Sequence, residues 1–418
     1  MKNWKIKLSI FLNYFVFAIL LNSVGTVILQ VQNNYHVTAS SASILEAFKD
    51  LSIAIVSFFV ASYLTRIGYK RAMLIALGLI SVTCLSMPFL GSFMMTKVLF
   101  ATTGACFALI KVSVYSTIGI ITENKKEHAS LMNFIESFFM IGILTGYFIF
   151  SAFINESNPA AWLNVYYLLA VIAFLAFLLL LFTPLDESSV KSTVSKPLTE
   201  DFAEMFKLAI KPIVLVFIAS AFIYVLIEQS IMSWLPTFNS QVLHLPTILS
   251  VQMASILAAS TAAGRFFAGI ALRKIHWFYV LFICLLIAAV LVYVAIPLAK
   301  KGTGSHITGW SDAPLAAFVF PMIGLFLAPI YPAINSVILS TLPARMHGAM
   351  SGLIVIFSAL GGTTGSLITG YIFEHHGGEA AFYFSLIPIT LLLVSLYFFN
   401  RIQRKSKVEV EFNTTSGH

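Results

Sequence analysis

The chain has 418 residues, of which 59% are hydrophobic and only 10% are charged. Soluble domains carry about 25% charged residues, so this composition excludes a water-soluble protein. The net charge is +8, but the basic residues stand at the ends of apolar runs and form no patch, which argues against a nucleic-acid partner.

Twelve apolar runs follow one another along the chain, each bounded by charged residues, Pro or Gly. A helix needs about 20 apolar residues to cross a bilayer, and continuous apolar runs favour helices over the alternating strands of a barrel. The sequence therefore predicts an all-α polytopic protein embedded in a lipid bilayer. Its twelve transmembrane helices are predicted at 8–30, 43–64, 72–92, 96–122, 128–154, 162–183, 212–239, 247–272, 277–297, 313–341, 346–373 and 380–400.

The longest polar interruption, residues 184–211, separates the sixth predicted span from the seventh. Residues 61–67 and 269–275, at the ends of spans two and eight, align at an offset of half the chain. Parallel six-helix repeats of this kind occur in secondary transporters. We therefore predict an N-terminal six-helix bundle at 1–184, a cytoplasmic linker at 185–211, a second six-helix bundle at 212–400 and a cytoplasmic tail at 401–418.

The positions of Lys and Arg predict the orientation, because cytoplasmic loops of membrane proteins are enriched in these residues. With the N-terminus in the cytoplasm, 19 of the 25 lie in cytoplasmic segments. The others are Lys97, Lys300 and Lys301 outside, and Lys49, Lys111 and Arg265 within spans. This distribution predicts a multi-pass protein of the plasma membrane, or of the inner membrane in a Gram-negative cell, with both termini in the cytoplasm.

The loop between spans two and three reads Arg66-Ile67-Gly68-Tyr69-Lys70-Arg71. With the residues before it, this loop is similar to the signature Gly-x-Leu-Ala-Asp-Arg-x-Gly-Arg-Lys of the major facilitator superfamily, which the chain resembles over nearly its whole length. The chain has Ala61 where the signature has Gly, and Thr65 where it has Asp. The resemblance implies twelve helices in two pseudo-symmetric bundles and a cytoplasmic gate at this loop, which the superfamily forms with that Asp.

Two further stretches resemble the fucose-permease and sodium-glucose-transporter-like branch. Span seven has Tyr224, Glu228 and Trp234 at the spacing of that branch's Tyr-x-Gly-x-Glu motif and following Trp, with Leu226 in place of Gly. Span ten, residues 324–332, is similar to its Gly-x-Phe-x-x-x-x-Phe-Pro pattern. The resemblance implies coupled uptake of a sugar-like solute.

Glycine pairs in two spans predict close helix packing. They are Gly142 with Gly146 in span five and Gly361 with Gly365 in span eleven. Span five also lacks the Gly-Pro-rich motif of the superfamily's drug/proton antiporters.

Ionisable groups inside a membrane are costly and mark functional sites. Seven lie within predicted spans and are candidates for ion coupling or gating: Asp50, Lys111, Glu136, Glu46, Lys49, Arg265 and Glu228. The first half has three carboxylates against two lysines, whereas the second is balanced. One carboxylate of the first half therefore lacks a full partner, which suits a proton-coupling site.

Depth along the helices predicts which of these charges pair, using a rise of about 1.5 Å per residue. Lys111 is placed to reach Asp50 or Glu136. In the superfamily fold spans five and eight face each other, so Glu136 and Arg265 are expected to form a pair between the halves. Arg265 is also open to two roles, an inner gate or a cation that reaches the membrane surface.

Glu46, Lys49 and Glu228 are predicted to lie apart from these pairs. Glu46 and Lys49 fit an ion pair at the membrane surface, because Glu46 stands near the outer end of span two. Glu228 and Arg265 lie at different depths and are poorly matched as partners. The match to the family motif places Glu228 in the cavity.

Neutral polar residues at mid-span, with the aromatic residues beside them, are the candidates for substrate binding. They are Asn13, Asn22, Tyr115, Asn133, Tyr224, Gln229, Trp234, Tyr331 and Asn335. Amides beside aromatic rings suit a neutral hydroxylated solute such as a sugar, and the sequence shows no basic cluster for a phosphorylated one. No metal-ligand spacing, phosphate-binding loop or catalytic arrangement is present, so we predict no cofactor, no metal site and no enzyme activity.

The sequence therefore favours a monomeric secondary active transporter that imports a small neutral hydroxylated solute with H⁺ or Na⁺. Two alternatives remain open. One is an exporter of drugs, siderophores or metabolites by proton antiport; the other is a membrane sensor or scaffold that does not transport.

Overall fold

A computed structural model of the chain describes residues 4–122, 124–187, 205, 207–301, 307–342 and 346–415. These residues form helices and connecting turns, with no strand among them. The predicted all-α fold is therefore confirmed. The predicted linker lies mostly outside the described residues.

The described residues of the first half form seven long α-helices. They are α1 (Trp4–Asn22), α2 (Val24–Tyr35), α3 (Ala39–Ile67), α4 (Tyr69–Leu90), α5 (Phe93–Ile121), α6 (Lys125–Ala152) and α7 (Val165–Leu181). The first predicted span is broken at Ser23 into α1 and α2. Thr38 and Ser92 accept hydrogen bonds from backbone amides three residues on, and these caps fix where α3 and α5 begin.

The second half forms nine helices among the described residues. They are α8 (Pro212–Met232), α9 (Leu235–Gln241), α10 (Thr247–Ala271), α11 (Trp277–Lys301), α12 (Ala316–Val319), α13 (Ile323–Leu327), α14 (Ile330–Thr341), α15 (His347–Phe384) and α16 (Leu386–Thr415). The tenth predicted span is divided between α12, α13 and α14, because Pro321 and Pro329 have no backbone N–H to continue a helix. Gly377, at φ 84°, marks a kink inside α15 that separates the last two spans.

Ten helical runs in the described part of the chain are long and apolar enough to cross a membrane. One of them, Ala349–Gln403, contains both of the last two predicted spans. Helix α3 is not among the ten: in its continuously described part, residues 39–60, the apolar sequence is interrupted by Glu46, Lys49 and Asp50.

Glycines bring helices close together within each half. A Cβ on Gly142 of α6 would lie 2.7 Å from Ala18 Cβ of α1. Gly361 and Gly365 of α15 approach backbone carbonyls of α8, at Phe222 and Leu226, so closely that a side chain would collide. These contacts confirm the predicted close packing.

The two halves meet mainly at one end of the molecule, which we call the closed end. Here α3 packs against α15, α2 against α9, and the first turns of α10 against the last turns of α6. The Glu374 carboxylate of α15 accepts a hydrogen bond from the Ser40 backbone amide of α3 (2.9 Å), and Gln252 Nε2 of α10 donates to Ser151 Oγ of α6 (3.3 Å).

The opposite end, which we call the open end, includes the N-terminus of α1 and the C-terminus of α10. The face of α3 that is buried at Glu46 and Asp50 becomes partly exposed at Ile53 and Ser57. On α10, most residues after Gly264 are exposed, Arg265 among them. The helices that pack together at the closed end therefore separate towards the open end.

Candidate functional site

Three charged residues of α3 form a buried cluster, which we call the triad: Glu46, Lys49 and Asp50. The Lys49 ammonium pairs with Glu46 Oε1 and lies 3.5 Å from Asp50 Oδ1. The three residues are 0%, 5% and 7% exposed. The prediction of a Glu46–Lys49 pair at the membrane surface is therefore wrong, because the packing of α15 and α8 against α3 covers this face of the helix.

The triad lies in the seam between the two halves. Ser233, which follows α8, donates a hydrogen bond from its hydroxyl to Glu46 Oε2 at 2.7 Å. Asp50 Oδ2 lies directly against Gly362 of α15, where a Cβ would collide with it. The Gln229 Cγ of α8 packs beside Gly362 as well. Two carboxylates, one ammonium and neutral groups of the other half thus share one buried site.

A second group of residues lies in the first half, on the side of the triad that faces the open end. The Tyr115 hydroxyl of α5 donates to Glu136 Oε1 of α6 at 2.6 Å, and the ring of Tyr14 lies 6.2 Å from that of Tyr115. Lys111 of α5 is exposed and holds its ammonium 5.9 Å from the centre of the Phe107 ring. Of the two carboxylates that Lys111 was predicted to reach, Asp50 is paired with Lys49, and Lys111 interacts electrostatically with Glu136.

The second half provides a matching group. The Tyr224 hydroxyl donates to Glu228 Oε1 at 2.8 Å within α8, and the Tyr224 ring stacks on Tyr331 of α14 with 5.6 Å between ring centres. Tyr331 in turn shares a hydrogen bond of 2.9 Å with Ser358 of α15. Each half therefore presents a carboxylate that is held by a tyrosine.

Arg265 of α10 lies between these two groups. Its guanidinium donates to the Met140 sulfur of α6 at 3.6 Å and interacts electrostatically with Glu228. The predicted ion pair between Arg265 and Glu136 is absent from the described residues, because the guanidinium reaches α6 one turn further along. Glu228 and Arg265 were expected to be mismatched in depth; the structure brings their charges within electrostatic range. We call the space that Lys111, Arg265 and the two tyrosine–glutamate pairs border the central opening.

The family of the chain follows from its sequence. Residues 8–366 match the sequence profile of the Major Facilitator Superfamily. This chain belongs to that superfamily. A comparison with curated proteins gives no match.

Several solved transporter structures share the fold of this chain. A bacterial homologue of the human lysosomal transporter Spinster, inward-facing and occupied, has a TM-score of 0.76 at 14% identity, over 96% of this chain and 98% of that one. A D-xylose–proton symporter gives 0.71 at 13%, over 96% and 97%, and the nucleoside transporter NupG gives 0.69 at 16%, over 96% and 99%. Such identities show a shared fold. The resemblance to the fucose-permease branch stays a prediction.

The predicted substrate-binding residues of this superfamily member divide into two sets. Five of them line or adjoin the central opening: Tyr115, Asn133, Tyr224, Tyr331 and Asn335. Asn133 is exposed and stands one turn before Glu136 on α6, and Asn335 stands one turn after Tyr331 with a buried carbonyl oxygen that has no partner in the described structure.

The other four lie elsewhere. Trp234 is fully buried at the closed end, where its indole N–H donates to Ser366 Oγ at 3.2 Å, and Gln229 lies at the triad. The Asn22 amide donates to the Ala18 carbonyl in its own helix at 2.9 Å. Asn13 is fully buried in α1, with neither amide atom paired among the described residues.

Sequence reasoning missed Ser233 and Gly362, since a serine and a glycine in apolar helices carry no signal that they border a buried charge. It also missed the carboxylate of the signature loop. Glu187, which follows α7, accepts a hydrogen bond from the Lys70 backbone amide at 2.6 Å and lies beside Gly68 (φ 91°). A carboxylate therefore reaches the N-terminus of α4 from a distant part of the chain. The Thr65 side chain lies outside the described residues.

Proposed function

We propose that this protein is a secondary active transporter that works by alternating access and moves a small hydroxylated solute together with H⁺ or Na⁺. The observation that carries the proposal is the triad, in which two carboxylates share one lysine inside the seam between the halves. The aromatic and amide residues of the central opening support a hydroxylated solute.

The charge balance of the triad gives a mechanism for coupling. One negative charge is left over in a buried seam, where an uncompensated charge is costly. A bound proton or Na⁺ removes the imbalance and stabilises the closed end. Without the ion, the open state of the seam is more stable than the closed state, because water can then solvate the charges of Glu46 and Asp50. The ion therefore controls which end of the molecule is closed.

The direction of transport follows from the orientation that the positions of Lys and Arg predict. In that orientation the closed end faces the outside of the plasma membrane, and both termini face the cytoplasm. An ion that binds to the triad from outside favours closure of that end and opening towards the cytoplasm. The solute then enters with the ion, which makes the protein a symporter.

The test uses protein reconstituted in vesicles, an imposed inward gradient of H⁺ or Na⁺, and radiolabelled sugars, polyols, nucleosides and sugar acids. We expect at least one solute to accumulate above its external concentration. Asp50→Asn is expected to abolish accumulation and to keep counterflow, because solute exchange needs no net ion movement. Asp312→Asn, an exposed carboxylate in a turn before α12, is the matched control and should transport normally.

Three outcomes would contradict the proposal. Accumulation that survives in Asp50→Asn removes the coupling role of the triad. Solute efflux driven by inward ion movement indicates an exporter. Ligand-induced thermal stabilisation without exchange of any solute indicates a sensor.

A further inference from the structure

We propose that the solute carries a carboxylate, which Lys111 and Arg265 bind from opposite halves of the central opening. This inference rests on the proposed transport function and narrows its hydroxylated solute to an organic acid, in place of the neutral solute that the sequence suggested. The sequence suggested no converging basic groups; the structure brings two together.

Lys111 is turned towards the central opening by its position on α5. Phe107 and Tyr115 stand four residues before and after it and so share its face of the helix. The Phe107 ring contacts the ring of Phe139 of α6 at 6.0 Å, and Tyr115 is hydrogen-bonded to Glu136 of the same helix. Lys111 is nevertheless exposed, so its ammonium projects from this aromatic surface into the opening.

Arg265 approaches the same part of α6 from the other half. Its contact with Met140 lies four residues beyond Glu136, the carboxylate that interacts with Lys111. Four residues of helix rise about 6 Å. The two cations thus approach a single turn of α6, Glu136–Met140, one from each half of the molecule.

Both cations lack an ion pair in the described structure, whereas the nearby carboxylates have partners. No carboxylate of the described residues lies within ion-pair distance of Lys111 or Arg265. Glu136 and Glu228 each accept a hydrogen bond from a tyrosine. The charged groups around the opening that lack both an ion pair and a tyrosine partner are therefore the two cations. Of these, the guanidinium fork of Arg265 is well suited to a carboxylate.

The same opening also provides neutral groups for hydroxyls. Asn335 has an unpaired carbonyl oxygen one turn from Tyr331, and Tyr331 stacks on Tyr224. Tyr331 and Asn335 are partly exposed, so the Tyr331 ring and the Asn335 amide are available to the ring and the hydroxyls of a sugar, whereas the Asn335 carbonyl oxygen and Tyr224 are buried behind them. A sugar acid presents both the carboxylate and the hydroxyls that these groups require.

The test compares three probes that share the glucose ring and differ in net charge: D-glucuronate is an anion, D-glucose is neutral and D-glucosamine is a cation. We expect D-glucuronate to raise the melting temperature of the purified protein and to be taken up by reconstituted vesicles, while the other two do neither. Arg265→Gln and Lys111→Gln should each weaken D-glucuronate binding about tenfold, because a hydrogen bond to a charged group is lost. Arg265→Lys should keep more of the affinity than Arg265→Gln.

Arg273→Gln is the matched control, since Arg273 is an exposed arginine at the open end that follows α10 and lies outside the central opening. It should bind D-glucuronate like the unaltered protein. The melting temperature of each variant without ligand shows whether its fold is intact.

The inference is overturned if D-glucose is taken up and D-glucuronate is not, a result that leaves the proposed transport function in place. Preference for D-glucosamine also overturns it and assigns binding to Glu136 and Glu228. If none of the three probes stabilises the protein or is taken up, the inference falls. Transport itself is then judged by the wider solute panel described above.

Discussion

The closed and open ends of this molecule are built from the same long helices, yet they use charge in opposite ways. At the closed end the triad is buried and its ions contact one another and Ser233. At the open end Lys111 and Arg265 are exposed and without ion pairs among the described residues. A seam that must open and close can bury charge only where a counter-charge is fixed in place, whereas a binding surface keeps its charges free for a ligand.

The largest expected effect comes from removing the only cation of the triad. Lys49→Met leaves Glu46 and Asp50 buried without a counter-charge, and breaking a buried pair costs about 3–5 kcal/mol. We expect a large drop in the melting temperature at neutral pH. Adding Glu46→Gln and Asp50→Asn to Lys49→Met should restore most of it. A Lys49→Met protein as stable as the unaltered one would contradict the account of the triad.

The next effect concerns the hydrogen bond that links the triad to the second half. Ser233→Ala removes the donor to Glu46, and a hydrogen bond to a charged group contributes about 1.5–3 kcal/mol. The closed end should open more often, which is measured as faster alkylation of a cysteine introduced at Ser43 in the seam. Ser230→Ala, whose hydroxyl bonds the Gly365 carbonyl within the second half at 3.1 Å, is the control and should leave this rate unchanged.

A steric change at the closed end should have a similar or smaller effect. A Cβ on Gly370 would lie 2.7 Å from Ser43 Cβ and 2.8 Å from the Trp234 ring. Gly370→Ala should therefore weaken closure by about 1–3 kcal/mol, the usual cost of overpacking. Cysteines introduced at Gln32 and Gln241, which are hydrogen-bonded across the seam at 3.4 Å, should cross-link more slowly. Gly269→Ala, with open space around it, should cross-link at the normal rate.

The smallest effect is expected at the exposed rim of the closed end. Glu374→Gln weakens the bond from the carboxylate to the Ser40 amide at the N-terminus of α3, where negative charge is favourable. The same cysteine pair should cross-link slightly more slowly than in the unaltered protein at low ionic strength. The difference should disappear in concentrated salt, because salt screens exposed charges. A difference that salt does not change would show that the effect is not electrostatic.

Much of the fold could be predicted, because crossing a membrane imposes a length and a composition on each helix. The helix breaks were less predictable. Ser23 interrupts the first span with no Pro or Gly at the break, whereas Pro329 gave a visible signal for the broken tenth span. The glycine pairs were found by their spacing, since small residues four apart lie on one face of a helix.

The pairing of charges could be predicted only in part. Glu46, Lys49 and Asp50 share one face of α3 by their spacing, but their burial depends on α15 and α8, which lie far away in the chain. Depth placed Glu228 and Arg265 as poorly matched partners, and the described residues form no ion pair between them, although their charges interact at longer range.

The sequence by itself determined that the chain is a helical membrane protein, that it belongs to the Major Facilitator Superfamily, and which few ionisable residues lie within its spans. These properties depend on local composition and spacing. Only the tertiary structure decided that the triad is buried against Ser233 and Gly362, while Lys111 and Arg265 border the central opening without an ion pair among the described residues. Partner choice depends on which distant helices pack face to face, and no local pattern in the chain specifies that.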